Sequence, residues 1–284
     1  MSGSALSTFT ASDGDNLALE DWPLPDGVQL RGVVVLVHGL GEHAGRYDHV
    51  AGFLNQRGFA VRGFDQYGHG ESGGPRGTLT SSTRLLDDLA DVVDSVRSRI
   101  APAMPLVLLG HSMGGLVAAR FVSLQLRRVE GLVLSSPALD PGLSAFQKLL
   151  LAVLPRWLPN LQVSNGLKPE LLSRDPAVVR AYLADRLVHD RISPRLARFI
   201  ADAGVATRAA ASGWTVPTLL LYAGADGLVN PQGSREFAAQ APPGVVQSHC
   251  FEALYHEIFN EPERGEVLAV LEQWLNRRFG QKLN

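Results

Sequence analysis

The sequence has a single cysteine, Cys250, among its 284 residues. One thiol excludes an internal disulfide framework and leaves too few thiolates for a structural zinc site. Uninterrupted apolar runs of membrane-spanning length are also missing, although hydrophobic residues make up 45% of the chain and the mean hydropathy is +0.05. Charge of one sign is not in excess: the formal net charge is −2, the pI is near 6.4, and the basic residues are scattered. That leaves no electrostatic footprint for nucleic acid or an anionic membrane surface. The opening stretch "MSGSALSTFTASDGDNLALE" lacks a basic segment, an apolar core and a small-residue cleavage site, so it does not read as a secretory signal, and a cytoplasmic setting is expected.

Short apolar, β-branched runs are present in regular succession. After an N-terminal hairpin over residues 9–25, turning at "SDGDN", come "GVVVLVHG" (32–39), "GFAVRGFD" (58–65), "PLVLLG" (105–110), "GLVLSS" (131–136) and "TLLLYAGAD" (218–226). Runs of this kind suit parallel strands buried on both faces. Stretches of helical period separate them; in 84–100, Leu85, Leu89, Val92, Val93 and Val96 share one face. Strands alternating with helices predict an α/β fold with right-handed crossovers. The alternation stops between residues 138 and 211, where prolines punctuate helical patterns and no convincing strand is seen. The reading is an α/β core over 1–137 and 212–284, with a helical cap inserted at 138–211. Its apolar stretch, including Leu149, Leu150, Leu151, Val153, Leu154 and Trp157, suits packing on the core, an acyl-chain pocket or contact with a lipid interface.

Gly110-His111-Ser112-Met113-Gly114 fits G-x-S-x-G, with a strand before it and a small-residue helix after it. A side chain held in a strained strand-to-helix turn needs neighbours without bulk, and the turn places the hydroxyl at the positive end of a helix. Ser112 is the candidate nucleophile. A hydroxyl is weak at neutral pH, so a base and an orienting acid must follow, in the chain order Ser, acid, His. His256, in the loop "EALYHEIFNEP", is a better base than His249, which lies inside a strand-like run. Asp226, closing "TLLLYAGAD", is the candidate acid, with Asp140 as its rival. The loop "VVVLVHGLGEHAGRY" has two readings. In one, the N–H groups of Leu40 and Met113 form an oxyanion hole. In the other, Gly39, Gly41 and Ala44, with Asp65 about 20 residues on, form a dinucleotide fingerprint. His38 and His43 lack the H-E-x-x-H spacing, so no metal is expected. Asp65, His69 and Ser72 in "DQYGHGESGG" read as the polar residues of a tight glycine loop.

"HGLGEHAGRY", "FDQYGHGESGG", "GHSMGG", "YAGADGLVNP" and "YHEIFNEP", in that order, resemble the motifs of the α/β-hydrolases, and within them the monoacylglycerol lipase and lysophospholipase group. The resemblance runs from about residue 9 to the C-terminal region. It implies a mostly parallel eight-stranded sheet flanked by helices under a helical cap, a cofactor-free Ser112–Asp226–His256 triad, and oxyanion donors at Leu40 and Met113. It also implies that Glu42 and Arg46 lie near the polar head of a small acyl-ester substrate. Leucine at position 40, where relatives often carry a smaller residue, makes the mouth of the oxyanion hole bulkier. The expected activity is ester hydrolysis, with a monoacylglycerol as the concrete substrate. Thioester, lysophospholipid, polyester or peptide cleavage on the same triad, a non-catalytic receptor and a nucleotide-dependent enzyme are the alternatives.

Overall fold

A computed structural model describes residues 4–142 and 144–280. Residues 1–3 and 281–284 of the expected core, and residue 143 of the expected insertion, lie outside the described residues. The strands are β1 (Ala5–Thr10), β2 (Asn16–Trp22), β3 (Gly32–Val37), β4 (Phe59–Phe64), β5 (Leu106–His111), β6 (Gly131–Ser135), β7 (Val163–Ser164), β8 (Arg191–Ile192), β9 (Thr218–Ala223) and β10 (Val246–Phe251). The helices are α1 (Asp48–Asn55), α2 (Arg84–Arg97), α3 (Ser112–Ser123), α4 (Ala145–Trp157), α5 (Pro176–Ala184), α6 (Pro194–Ala209), α7 (Gln232–Gln240) and α8 (Arg264–Phe279).

Eight strands form one sheet in the order β1-β2-β4-β3-β5-β6-β9-β10. The β1–β2 and β2–β4 pairs are antiparallel and the remaining pairs are parallel. The alternation of side chains along a strand divides the core into two layers. Val33, Val35 and Val37 of β3 join the side chains of α2, α3, α6 and α7. Val34 and Leu36 face the other way, onto α1 and α8. Helices on both faces explain why β3, β5 and β6 are buried at every position.

The N-terminal hairpin spans β1 and β2. Its turn is held on α2 by Arg84, which bonds to Asp13, Asp15 and Asp88.

The segment between β6 and β9 differs from its reading in one respect. It contains a two-stranded antiparallel ribbon, Val163–Ser164 with Arg191–Ile192. These strands are too short to leave an alternating pattern in the sequence. In addition, α6 buries Leu196, Phe199, Ile200 and Ala203 in the same layer as α2 and α3. This packing favours a boundary between cap and core near Ser193, which we propose in place of one at 211. α4 opens with a capping box, Ser144 Oγ accepting from Gln147 N–H and Gln147 Oε1 accepting from Ser144 N–H. Among the described residues no helix is long and apolar enough to cross a membrane.

Candidate active site

β5 runs straight into α3, and the joint is Ser112, with φ +53°. A non-glycine residue there costs on the order of 1–2 kcal/mol, so neighbouring contacts must impose it. They do, because the chain is pinched at this point. A Cβ on Gly114 would lie 2.2 Å from the Val37 carbonyl oxygen, and one on Gly110 would lie 2.5 Å from that of Gly114. The glycines let α3 sit against the ends of β3 and β5, and the turn lifts the Ser112 hydroxyl above the sheet.

Asp226 and His256 reach the same point from the ends of β9 and β10. Ser112 Oγ lies 2.8 Å from His256 Nε2, and His256 Nδ1 lies 2.7 Å from Asp226 Oδ2. The other Asp226 oxygen accepts the N–H groups of Leu228 and Val229, each at 2.9 Å, which fixes the carboxylate. The side chains of His256 and Asp226 are 4% and 3% exposed. Burial pushes the His256 pKa down, but the charge and hydrogen bond of Asp226 outweigh it and leave the imidazole above its ordinary value. Burial pushes the Asp226 carboxyl up, and His256 with the two loop N–H groups brings it below the usual range. Held this way, His256 Nε2 is within hydrogen-bond reach of the Ser112 hydroxyl, and Asp226 lies against the far side of the imidazole.

The other wall is the loop after β3. Glu42 Oε1 accepts the Gly39 N–H at 2.6 Å and the Tyr47 hydroxyl at 2.7 Å. Glu42 Oε2 accepts from Arg46 at 2.5 Å. With Gly39 N–H taken, the next amide along the loop is that of Leu40. Among the described residues no hydrogen bond engages it. Met113 follows Ser112 in the first turn of α3, where N–H groups have no partner inside the helix. Both residues line the cavity above Ser112.

That cavity has a volume of about 240 Å³ and a mixed lining. Leu40, Met113, Ala138, Ile200, Leu228 and Val229 are among its apolar lining residues. Glu42, Arg46, Glu257, Asn165 and Tyr182 are among its polar ones, and Arg46 gathers Glu42, Glu257 and Tyr182 into one cluster. The expected head-group residues Glu42 and Arg46 therefore do face the cavity, but they are not free. Burial pushes Glu42 up, while Arg46 and its other partners carry it down to about 2. Arg46 also makes a two-pronged pair with Glu257, at 2.7 and 2.8 Å, and its guanidinium lies 4.8 Å over the Tyr182 ring of α5. Glu257 was not among the residues singled out in the sequence. Its position directly after His256 was the available signal. His111, also missed, lies 4.8 Å from the His256 ring and bonds Ser135 Oγ at 3.0 Å. Burial lowers its pKa to about 4.

The rival residues are occupied elsewhere. Asp140 bonds Asn230 and the Gly142 N–H, and Ser144 rather than Asp140 caps α4. His249 is exposed on β10. Asp65 turns its carboxylate onto the N–H groups of Ala44 and Glu71, so it is committed to the glycine loop and not presented to a ribose. Ser72 and His69 bond within that loop, to Asp65 and Tyr67 carbonyls. His38 bonds Gly39 and Gln66, whereas His43 bonds Asp185.

A serine raised on a pinched strand-to-helix turn, above the strand ends of a mostly parallel sheet, is the shared design of α/β-hydrolases. The profile of the Hydrolase_4 family, described as serine aminopeptidase, S33, matches residues 28–263. The chain is 35% identical over 271 residues to the monoacylglycerol lipase of Mycolicibacterium smegmatis, covering 94% of this chain and 95% of that protein. It is 34% identical over 245 residues to phospholipase YtpA of Bacillus subtilis, covering 84% and 92%. Among solved structures, Paleococcus ferrophilus monoacylglycerol lipase superposes with a TM-score of 0.82 at 38% identity, covering 92% of this chain and 99% of that one. The chain belongs to the Hydrolase_4 family of α/β-hydrolases.

Proposed function

We propose that the protein is a serine carboxylic-ester hydrolase acting on monoacylglycerol-like esters. The observation that carries this reading is the hydrogen-bonded line Ser112–His256–Asp226 opening on a cavity lined by both apolar and charged side chains. In the proposed reaction His256 Nε2 takes the Ser112 proton as Oγ attacks the ester carbonyl carbon. The N–H groups of Leu40 and Met113 receive the developing oxyanion. The tetrahedral intermediate collapses, the carbon–oxygen bond to the alcohol breaks, and His256 returns the proton to the leaving oxygen. A water molecule, deprotonated by His256, then attacks the acyl-enzyme; the bond from the acyl carbon to Ser112 Oγ breaks, His256 returns the proton to Oγ, and the carboxylic acid is released. Asp226 keeps the imidazole oriented throughout. The acyl chain lies along the apolar lining residues, and the alcohol lies toward Glu42, Arg46 and Glu257.

The identity to monoacylglycerol lipases over nearly the full length supports the substrate class. α4 and the residues after it expose Leu149, Val153, Trp157, Leu158 and Leu161, which supports transient contact between the cap and a lipid interface in a cytoplasmic protein. Lysophospholipid cleavage is the second reading, favoured by the likeness to a phospholipase. The test is hydrolysis of p-nitrophenyl esters from acetate to palmitate and of 1-monooleoylglycerol, by the wild type and Ser112→Ala. Ser112-dependent release that includes oleate from the monoacylglycerol supports the reading. Intact esters in the presence of folded wild type sink it.

A further inference from the structure

The charged cluster in the cavity lining is built around one guanidinium and two carboxylates. Arg46 Nη1 donates to Glu42 at 2.5 Å and to Glu257 at 2.7 Å, and Nη2 donates to the second Glu257 oxygen at 2.8 Å. Asn260 Nδ2 adds a bond to Glu257 at 2.8 Å, so the acid is held on both sides. The three charged side chains are 11%, 4% and 4% exposed, which leaves little water to screen them. One cation against two anions gives this corner a net negative charge.

Two nearby histidines do not reverse the sign. His111 and His189 are both pushed down to about 4, chiefly by burial, so they carry no charge at neutral pH. A second cavity adjoins the first, sharing Asn165, Leu167, Leu172 and Tyr182. Its lining includes Asp185, which His43 pairs at 2.8 Å, and Asp190, which Arg191 pairs at 3.2 Å, and no lysine or arginine is among its described lining residues. An alcohol leaving the acyl carbon toward this side therefore meets the one carboxylate in excess in the Arg46–Glu42–Glu257 cluster.

Arginine beside a reactive serine is otherwise a natural hook for phosphate, because its planar fork matches two phosphate oxygens. Here that fork is already closed on a carboxylate. We propose that Glu257 is the specificity-determining residue of the alcohol side: by filling the Arg46 fork and leaving the corner negative, it excludes phosphate-bearing head groups and admits neutral polyols. The inference rests on the ester-hydrolase reading and narrows its substrate class from acyl esters in general to those of uncharged alcohols. Phospholipase-like cleavage of anionic lipids is what it excludes.

The experiment compares four esters at concentrations where all are monomeric: 1-decanoylglycerol, 1-decanoylglycerol 3-phosphate, 1-decanoylglycerophosphocholine, and p-nitrophenyl butyrate as a reference without a head group. The enzymes are the wild type, Glu257→Gln and Glu257→Asp, each with its melting temperature recorded. Wild type is expected to show kcat/KM at least roughly tenfold lower for the phosphate than for the glycerol ester, the scale of one like charge at close range in a partly buried site. The phosphocholine ester, larger but with no net charge, should fall between them. Glu257→Gln should close the phosphate-to-glycerol gap by roughly tenfold, since the fork is opened and a negative charge removed. Glu257→Asp keeps the charge and should keep the discrimination, whereas a purely structural role would shift both variants alike. Equal rates on phosphate and glycerol esters in wild type would overturn the proposal. So would phosphocholine falling below phosphate, which would mean selection by size, or a gap unmoved in folded Glu257→Gln. If the wild type left even p-nitrophenyl butyrate intact, the underlying hydrolase reading would be what failed.

Discussion

The strands beneath Ser112 and the helix above it follow opposite rules. β3, β5 and β6 are buried at every position, and the loops at their ends are pinned by glycine contacts and buried hydrogen bonds. α4 leaves Leu149 63% and Trp157 79% exposed and carries Pro155 inside it. A site divided in this way fixes its reacting groups in the stiff part. On the proposed reading, contact with an apolar substrate falls to the less tightly packed part.

The sharpest way to break the comparison is at Ser112 itself. Ser112→Ala is expected to lower kcat on p-nitrophenyl esters by about 10⁶-fold, the scale seen when a nucleophile is removed from a working triad. Burst and steady-state kinetics on folded variant would check it. Asp226→Asn should lower kcat by about 10⁴-fold, because the amide favours the wrong imidazole tautomer, while KM changes little. The pH dependence follows from the same pair. His256 must be neutral to act as base and its pKa lies above the ordinary 6.5. The kcat/KM of the wild type should therefore fall as pH drops through a midpoint above 6.5, and a midpoint below that value would contradict the geometry.

Two substitutions in the stiff floor probe stability. Gly114→Ala drives a methyl against the Val37 and His38 carbonyl oxygens, at 2.2 and 2.3 Å, and should cost about 3 kcal/mol in denaturant unfolding. Glu42 is held at about 2, down from 4.5, so its native-state ionisation contributes stability that is present above pH 4.5 and is lost as pH falls toward 2. Glu42→Gln should cost on the order of 3 kcal/mol at pH 7 and flatten the loss of stability across that acid window. The smallest effect is expected on the cap: Trp157→Ala should change stability by less than about 0.5 kcal/mol and leave hydrolysis of soluble short-chain esters near wild type. It should slow hydrolysis of emulsified long-chain ester, measured side by side with the soluble one. Equal slowing of both would erase the division between floor and cap.

The floor was the legible part of the sequence. Strands buried on both faces leave unbroken apolar runs, and a serine in a pinched turn needs Gly110 and Gly114, so both signals are local. The candidate acid and base were read from chain order and strand ends, which favoured Asp226 over Asp140; what the sequence could not record is that loop N–H groups hold the Asp226 carboxylate while Asn230 engages Asp140. The cap was harder to read. Two-residue strands leave no period, and α6 looks the same in sequence whether it packs on the core or lies over the site. The pairing of Arg46 with Glu257 joins residues 211 positions apart, which no local pattern records.

The central claim is that Ser112 becomes acylated. The most direct measurement is mass spectrometry of the wild type, acid-quenched within the first turnover of p-nitrophenyl decanoate and digested. The account predicts a decanoyl adduct on the peptide carrying Ser112, formed at the rate of the p-nitrophenol burst and absent from Ser112→Ala. Turnover with no adduct, or an adduct on another residue forming at the burst rate, would contradict it.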